Sequence, residues 1–325
     1  MRRPLALAAT LITTLATALA GSLSLAAAAA APTIDIRPGA LPRGEDTSIV
    51  HLEGHHRIVD GDRSVRTDTR LVTVLGRSGQ AWVATASTRI GTHTRLVRVR
   101  PDGSTRTLLR GPAAYEVRLS EDGERAFSVR IAKYGVSSRV LVLDARTAAP
   151  VADRTFKGSV GVLEAIGDRA VLSGTDRTFR WNLATDRTRR IADRAGYAAS
   201  TADDRLATYT GDPYLGGCTV VSLLSDPSDV LWRSCDERVT AFADGGHRMA
   251  TIHILSDGIG PDAVTVRKIH GRKVATYTTA WFGEIAWEDS TALAMYANGK
   301  KQAAWVRCVD DACERAGALH DVEQP

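Results

Sequence analysis

The four cysteines are the residues of this chain whose types and spacing most directly suggest chemistry. A structural zinc site needs close ligand pairs such as Cys-x₂-Cys, usually with histidine nearby. Here sixteen residues separate Cys218 from Cys235, and four separate Cys308 from Cys313. An exported protein can instead keep disulfides, and four cysteines allow three pairings. We therefore predict no metal site. Proximity in sequence favours two disulfides, Cys218 with Cys235 and Cys308 with Cys313.

No motif of an enzyme or cofactor site accompanies the cysteines. The sequence lacks a G-x-S-x-G elbow, an H-E-x-x-H helix, a Walker loop and a G-x-G-x-x-G turn. His55 and His56 are adjacent, and adjacent residues of a strand point to opposite faces, so they cannot chelate one ion together. The acidic loop 256–262 lacks the register of a calcium loop. We predict no cofactor, and no catalytic residue is assigned.

The first 31 residues have the character of a secretory signal peptide. A basic start, Arg2 and Arg3, precedes an apolar segment and an alanine run with cleavage sites near Ala30 or Ala31. A membrane anchor is the alternative, but no basic stop-transfer flank follows, and no later segment is apolar enough to span a membrane. We expect residues 1–31 to be removed and the protein to be secreted or otherwise extracytoplasmic.

A hairpin pattern recurs along the rest of the chain. Alternating apolar residues flank Asp102-Gly103, and similar hairpins have turns near positions 61, 147, 186, 227, 271 and 311, a period of about 42 residues. Each repeat therefore has four strands, labelled a to d in chain order, with a small, apolar a–b pair and a charged c–d pair. The a–b hairpins begin at Val72, Tyr115, Val160, Tyr197, Val239 and Gly283.

This gradient is typical of a β-propeller, whose inner strands crowd around an axis while the outer strands meet water. No helical period persists, and a β-sandwich, the rival all-β fold, needs no regular spacing. Seven c–d hairpins but six a–b hairpins predict one all-β propeller over residues 48–320, with seven blades and an abbreviated, three-stranded first blade. Six blades with an N-terminal appendage is the alternative. In the N-terminal segment 32–47, residues 33–37 can supply a closing strand to a terminal blade, and residues 321–325 form a tail.

One repeat also carries a family resemblance. The segment RLSEDGERAFSV (residues 118–129) resembles the S-P-D-G-x-x-I-A-F segment of TolB-type, WD40-like propeller repeats, with Glu121 in place of the motif's proline. RVRPDGSTRTL resembles the strand-turn-strand that those repeats often carry next. The resemblance implies a propeller, but it implies no particular partner, because propellers serve unrelated functions.

The propeller frame places the candidate ligand-binding residues. By analogy with other propellers, the binding face is the one where the d–a and b–c loops emerge, and here these loops carry aromatic residues beside carboxylates. Rings offer flat apolar area and carboxylates accept from hydroxyls, which suits sugar or peptide recognition. The alternative is that such aromatics pack between blades. The predicted ligand-binding residues are Tyr115, Tyr134, Tyr197, Asp212, Tyr214 and Trp281.

Two classes of function remain open. The first is a non-enzymatic binding or scaffold protein that serves an unknown protein or carbohydrate of the cell envelope or medium. The alternative is a propeller enzyme, a glycan hydrolase or lyase, with carboxylates such as Asp212 or Glu284 at the channel mouth. The net charge of +5 falls to about +3 without Arg2 and Arg3, and the other arginines are scattered among acids, which predicts no nucleic-acid binding. We expect a monomer.

Overall fold

The computed structural model describes residues 30–322. The expected signal peptide, except for its last two positions, and the last three residues of the expected tail therefore lie outside the described residues. Within 30–322 no helix has the length and apolar character needed to cross a membrane. The described chain consists mainly of β-strands, with four short 3-10 helices at Pro38–Ala40, Gly111–Ala114, Lys133–Gly135 and Pro213–Leu215.

The strands are numbered here in chain order. They are β1 (Thr33–Asp35), β2 (His51–Glu53), β3 (Arg57–Asp60), β4 (Arg63–Arg66), β5 (Leu71–Ser78), β6 (Ala81–Ala86), β7 (Arg95–Val99), β8 (Thr105–Arg110), β9 (Val117–Leu119), β10 (Arg125–Ile131), β11 (Ser137–Asp144), β12 (Pro150–Lys157), β13 (Gly161–Ile166), β14 (Arg169–Ser173), β15 (Thr178–Asn182), β16 (Arg187–Ala192), β17 (Gly196–Ser200), β18 (Arg205–Tyr209), β19 (Thr219–Leu223), β20 (Val230–Ser234), β21 (Glu237–Phe242), β22 (Arg248–His253), β23 (Ala263–Lys268), β24 (Lys273–Thr278), β25 (Trp281–Trp287), β26 (Leu293–Asn298), β27 (Gln302–Val309), β28 (Ala312–Arg315) and β29 (His320–Asp321).

These strands form seven antiparallel sheets, which are the blades of one propeller. Blade 1 contains β2–β4, and each later blade contains four consecutive strands, ending with β25–β28 in blade 7. The innermost strands of successive four-stranded blades contact one another, from β5 with β9 to β21 with β25. The all-β fold, the seven blades and the three-stranded first blade are confirmed. The six-bladed alternative is wrong, because blade 1 is a sheet of its own.

Small side chains allow the inner half of each blade to fit between its neighbours. All six residues of β6 are buried, as are most residues of β22 and β26. In the outer strand β16, by contrast, the first four residues are exposed. Burial of the inner strands supplies the hydrophobic driving force, while the charged outer strands keep the rim in water.

The Asp-Gly turns set the distance between blades. Gly103 and Gly123 have φ values of +81° and +68°. A Cβ at either position would collide with a carbonyl oxygen of the preceding blade, that of Arg66 or Arg77. Only glycine combines a left-handed backbone with so close an approach, so these turns require it.

The aspartate of the TolB-like segment connects two blades. Asp122 accepts from the hydroxyl of Ser120 at 2.6 Å and from the amide of Gly167, in the next blade, at 2.7 Å. Burial opposes ionisation of Asp122, but these donors prevail and hold its pKa below the usual value. The Asp-Gly pair of this motif is therefore a structural joint between blades 3 and 4.

Residues 32–48, here called the N-terminal strap, run along the outside of blades 6 and 7. β1 pairs in parallel with β24, the outer strand of blade 6. Residues 33–37 were expected to close a terminal blade, and they lie one blade earlier because the side chain of Ile36 is buried in the core that blades 6 and 7 share. Farther along, the amide of Arg315 in β28 donates to Pro42 at 2.8 Å, and that of Gly44 donates to Arg315 at 2.9 Å.

The strap ends at a buried ion pair in blade 7. The carboxylate of Glu288 accepts from the guanidinium of Arg307, from the hydroxyl of Thr47 and from the amide of Ser48, the last at 2.8 Å. Arg307 also donates to the carbonyl oxygens of strap residues 45 and 46. Burial opposes ionisation of Glu288, but these donors prevail and lower its pKa. The strap is thus anchored in blade 7, and the chain continues from Ser48 directly into β2 of blade 1, so the strap connects the last blade to the first.

The start of the expected C-terminal tail belongs to blade 7. His320 and Asp321 form β29, which pairs with the beginning of β27. The amide of Val322 donates to the carbonyl oxygen of Lys301 at 3.1 Å. The propeller therefore extends two residues beyond the expected boundary at 320.

Candidate functional site

Exposed apolar side chains concentrate on one side of the propeller. We call the side with the b–c and d–a loops the loop face, and the side with the a–b and c–d turns the turn face. Of thirteen exposed large hydrophobic residues in the described chain, nine lie in or beside the loops of the loop face. A large exposed apolar area usually marks an interaction surface. The nine are Ile90, Tyr115, Ile131, Tyr134, Val136, Tyr214, Leu215, Leu255 and Ile259.

Four of these side chains form the blade 3 patch, which consists of Tyr115, Ile131, Tyr134 and Val136. Tyr134 is 86% exposed and has a φ of +63°. A left-handed backbone costs a non-glycine residue roughly 1–2 kcal/mol. Such strain is common at ligand sites, and the ammonium of Lys133 lies 4.8 Å from the centroid of the Tyr134 ring.

The b–c loops of blades 5 and 6 carry the second group, the blade 5–6 patch, which consists of Tyr214, Leu215, Leu255 and Ile259. Asp212 accepts from the amide of Tyr214 at 2.9 Å, which fixes the 3-10 turn. The hydroxyl of Tyr214 donates to Asp257 at 2.9 Å and so joins the two loops. This hydrogen bond raises the pKa of Tyr214. The patch is therefore preorganised by side chains of its own loops.

Both predicted disulfides are present. Cys218–Cys235 joins the loop-face ends of the c and d strands of blade 5, at the base of the loop that carries Tyr214. The amide of Cys218 donates to the hydroxyl of Thr210 at 2.9 Å across that base. Cys308–Cys313 crosses the c–d turn of blade 7, on the turn face. The first disulfide therefore anchors the blade 5–6 patch.

Replacing Cys218 and Cys235 together by alanine should lower the free energy of unfolding by about 3 kcal/mol, because the disulfide closes a loop in the unfolded chain. The matched pair Cys308→Ala and Cys313→Ala closes a shorter loop and should cost about 2 kcal/mol. Urea titrations of the two double variants measure both values. An equal or larger loss from the blade 7 pair would contradict the loop-closure argument.

Tyr197 lies between blades rather than on the loop face. Its ring stacks on Tyr209 with centroids 4.1 Å apart. Its hydroxyl lies 3.0 Å from that of Thr219 and accepts from the amide of Val239, in the next blade, at 3.1 Å. Burial raises its pKa. The structure thus gives Tyr197 the alternative role considered for these aromatics, which is packing between blades.

Trp281 lies at the start of β25, the inner strand of blade 7, beside a groove that faces blade 1. Glu284, three residues later, sits in a bulge of the same strand and projects into this space. It is accessible to solvent, yet the surrounding walls partly desolvate it and raise its pKa. Trp281 and Glu284 therefore belong to a different region from the two loop-face patches.

A second carboxyl group lines the inner strands at blade 4. Glu164 on β13 accepts from the amide and hydroxyl of Thr201 in blade 5, and its carboxyl also contacts that of Glu121. Burial, reinforced by Glu121, raises the pKa of Glu164 to about 7. A glycosidase needs two carboxyl groups about 5–9.5 Å apart, and a pair in direct contact does not offer that geometry.

Sequence reasoning missed the aliphatic part of the loop face. Ile131, Val136, Leu215, Leu255 and Ile259 are exposed beside the predicted tyrosines. Their signal is present in the sequence as apolar residues within loops, where solvent-exposed polar residues are usual.

No family model matches the chain, and no curated protein matches it. Among solved structures, the β-propeller domain of the Trilobed protease from Pyrococcus furiosus aligns at 9% identity over 84% of this chain and 96% of its own, with a TM-score of 0.57. An acylaminoacyl peptidase from Pyrococcus horikoshii aligns at 10% identity over 81% of this chain, with a TM-score of 0.58. The match spans only 47% of the peptidase chain.

A WD40 domain is also similar. That of Toxoplasma gondii coronin aligns at 11% identity over 86% of this chain and 79% of its own, with a TM-score of 0.50. Identities this low show the fold alone. The expectation of a WD40-like propeller is confirmed at that level: the chain is a seven-bladed β-propeller, similar in fold to a WD40 domain and to the propeller of the Trilobed protease.

Proposed function

We propose that this chain is an exported, non-enzymatic binding protein whose loop face holds a protein partner in the cell envelope or medium. The observation that carries the proposal is the concentration of exposed apolar side chains on the loop face. Protein interfaces bury aromatic and aliphatic anchors in their centres, surrounded by a polar rim. The proposed site contains Tyr115 and Tyr134 in the blade 3 patch and Tyr214 in the blade 5–6 patch, and it omits Tyr197.

A protein partner fits this surface better than a sugar does. Sugars stack on aromatic rings and hydrogen-bond to free carboxylates. Here Asp212 and Asp257 are already engaged by Tyr214, and the aliphatic residues Leu215 and Ile259 offer a sugar no polar contact. Preorganised loops also reduce the entropy that binding would cost. Two disulfides are consistent with an oxidising compartment outside the cytoplasm.

Affinity capture with matched variants tests the proposal. The purified chain is used as bait against extracytoplasmic proteins, beside a loop-face variant, Tyr134→Ser with Leu215→Ser. The control carries Val151→Ser with Val230→Ser, which changes two exposed apolar residues in outer strands. We expect a partner retained by the wild type and the control and weakened roughly tenfold or more by the loop-face variant, since each lost anchor costs at least 1 kcal/mol. Equal retention by both variants, or turnover of a polysaccharide, would contradict it.

A further inference from the structure

Blade 1 has an unpaired inner edge. Its three strands follow the order β2-β3-β4, and β2 leads into the c–d hairpin, so β2 corresponds to the b strand of the other blades. Every other blade places an a strand beside its b strand. In blade 1 the inner edge of β2 pairs with no strand of residues 30–322. Unpaired amide and carbonyl groups on an edge are a template for another strand.

A groove lies where the missing strand would run. It has a volume of about 590 Å³ and separates β2 and the start of β5 from blade 7. On the blade 7 side, its wall includes three aromatic side chains: Trp281, Tyr296 and Trp305. His51 on β2 packs against Trp305 with ring centroids 5.1 Å apart, so the floor of the groove is closed. The space lies beside an unpaired strand edge and has aromatic residues in its wall, which suits an extended peptide.

One charged group in this groove has no partner among residues 30–322. Glu284 is accessible to solvent, and its carboxylate forms neither an ion pair nor a hydrogen bond with those residues. The walls of the groove partly desolvate the carboxylate and raise its pKa. A cation would satisfy Glu284.

We propose that this groove binds an extended peptide segment of a partner protein. The peptide pairs with the free edge of β2 as the missing inner strand of blade 1 and places a lysine or arginine against Glu284. Apolar side chains on the other face of the peptide pack on Trp281 and Trp305. Backbone pairing supplies affinity, and the alternate side chains supply specificity.

Selection from a phage-displayed peptide library tests the proposal on the full chain. We expect enriched sequences to combine β-branched or aromatic residues with one lysine or arginine. A synthetic copy should bind the wild type and lose roughly tenfold or more in affinity for the Glu284→Arg variant, the equivalent of at least 1.4 kcal/mol. The matched control, Glu116→Arg, makes the same charge change at an exposed position outside the groove and should bind like the wild type.

A second measurement separates strand addition from binding by side chains alone. A copy of the peptide with N-methyl groups on alternate amides keeps every side chain but cannot pair along one edge. We expect it to bind at least tenfold more weakly, and the unmodified peptide to protect β2 amides from hydrogen exchange. No enriched peptide, equal binding to Glu284→Arg, or a homodimer that Glu284→Arg dissociates would overturn the proposal. If the loop-face variant, Tyr134→Ser with Leu215→Ser, no longer retained its protein partner but still bound the peptide, that result would support the proposed function and leave the groove proposal standing.

Discussion

Replacing Arg307 by methionine is expected to lower the free energy of unfolding by about 3–5 kcal/mol at pH 7. The variant keeps the apolar stem but leaves the carboxylate of Glu288 buried without its cation. The side chain of Glu288 is only 7% exposed, so water cannot replace the lost donors. The strap also loses the donors that reach the carbonyl oxygens of residues 45 and 46. Urea titration at pH 7 measures the loss.

The matched control is Arg139→Met, which removes an exposed ion pair with Asp153 and should cost less than about 1 kcal/mol. A double variant, Arg307→Met with Glu288→Leu, removes both charges and should recover much of the loss. Because the pKa of Glu288 is lowered in the folded state, its contribution is present above the unfolded pKa and disappears as the pH falls through the folded pKa. The difference between wild type and Arg307→Met should therefore shrink in acid to what the hydrogen bonds of Arg307 to the carbonyl oxygens of residues 45 and 46 contribute. A difference of the same size at both pH values would contradict the ion-pair explanation.

The repeat architecture could be predicted because its signals are local. Each hairpin has its own turn residues and its own alternation, and seven of them at regular spacing indicate a ring. The disulfides follow from the same frame, since Cys308 and Cys313 flank a single turn. Even the missing strand of blade 1 appears in the sequence as one a–b hairpin fewer than c–d hairpins.

The closure of the ring could not be predicted, because it depends on contacts between distant parts of the chain. Thr47 and Glu288 are separated by 241 positions, and nothing in the neighbourhood of either residue indicates the other. The strap also lies outside the repeated hairpins, so the repeat pattern does not indicate where it packs. Its only regular strand, β1, has three residues and pairs with β24 of blade 6, and Ile36 directly after it is buried.

For the candidate site, the sequence could predict only which loops carry the aromatic residues, and not which of their rings are exposed. Tyr134 lies in a b–c loop and Tyr197 near the start of an inner strand, and Tyr134 is exposed whereas Tyr197 is partly buried. The difference comes from the neighbouring residues. Tyr209 stacks on the ring of Tyr197 and the amide of Val239 donates to its hydroxyl, whereas the ring of Tyr134 contacts the ammonium of Lys133. Whether an aromatic ring packs or binds therefore depends on the adjacent blade, which local sequence does not reveal.

Replacing Glu164 by glutamine is expected to stabilise the protein at pH 8 and to have little effect at pH 4.5. The pKa of Glu164 is raised from 4.5 to about 7 in the folded state. The folded protein therefore binds more protons than the unfolded chain over that interval, and its stability falls as the pH rises from about 4.5 to about 7. The loss is on the order of 3 kcal/mol, and above pH 7 it stays constant.

Glutamine removes this dependence while keeping the contacts. Its carbonyl oxygen can accept from the amide and hydroxyl of Thr201, and its NH₂ group can donate to Glu121. We expect a gain of about 1–3 kcal/mol at pH 8 and less than about 0.5 kcal/mol at pH 4.5, measured by urea titration at both values. The control, Glu116→Gln, makes the same change at an exposed position and should show no pH-dependent difference. An effect of Glu164→Gln that is the same at both pH values would mean that the pKa of Glu164 is not raised in the folded protein.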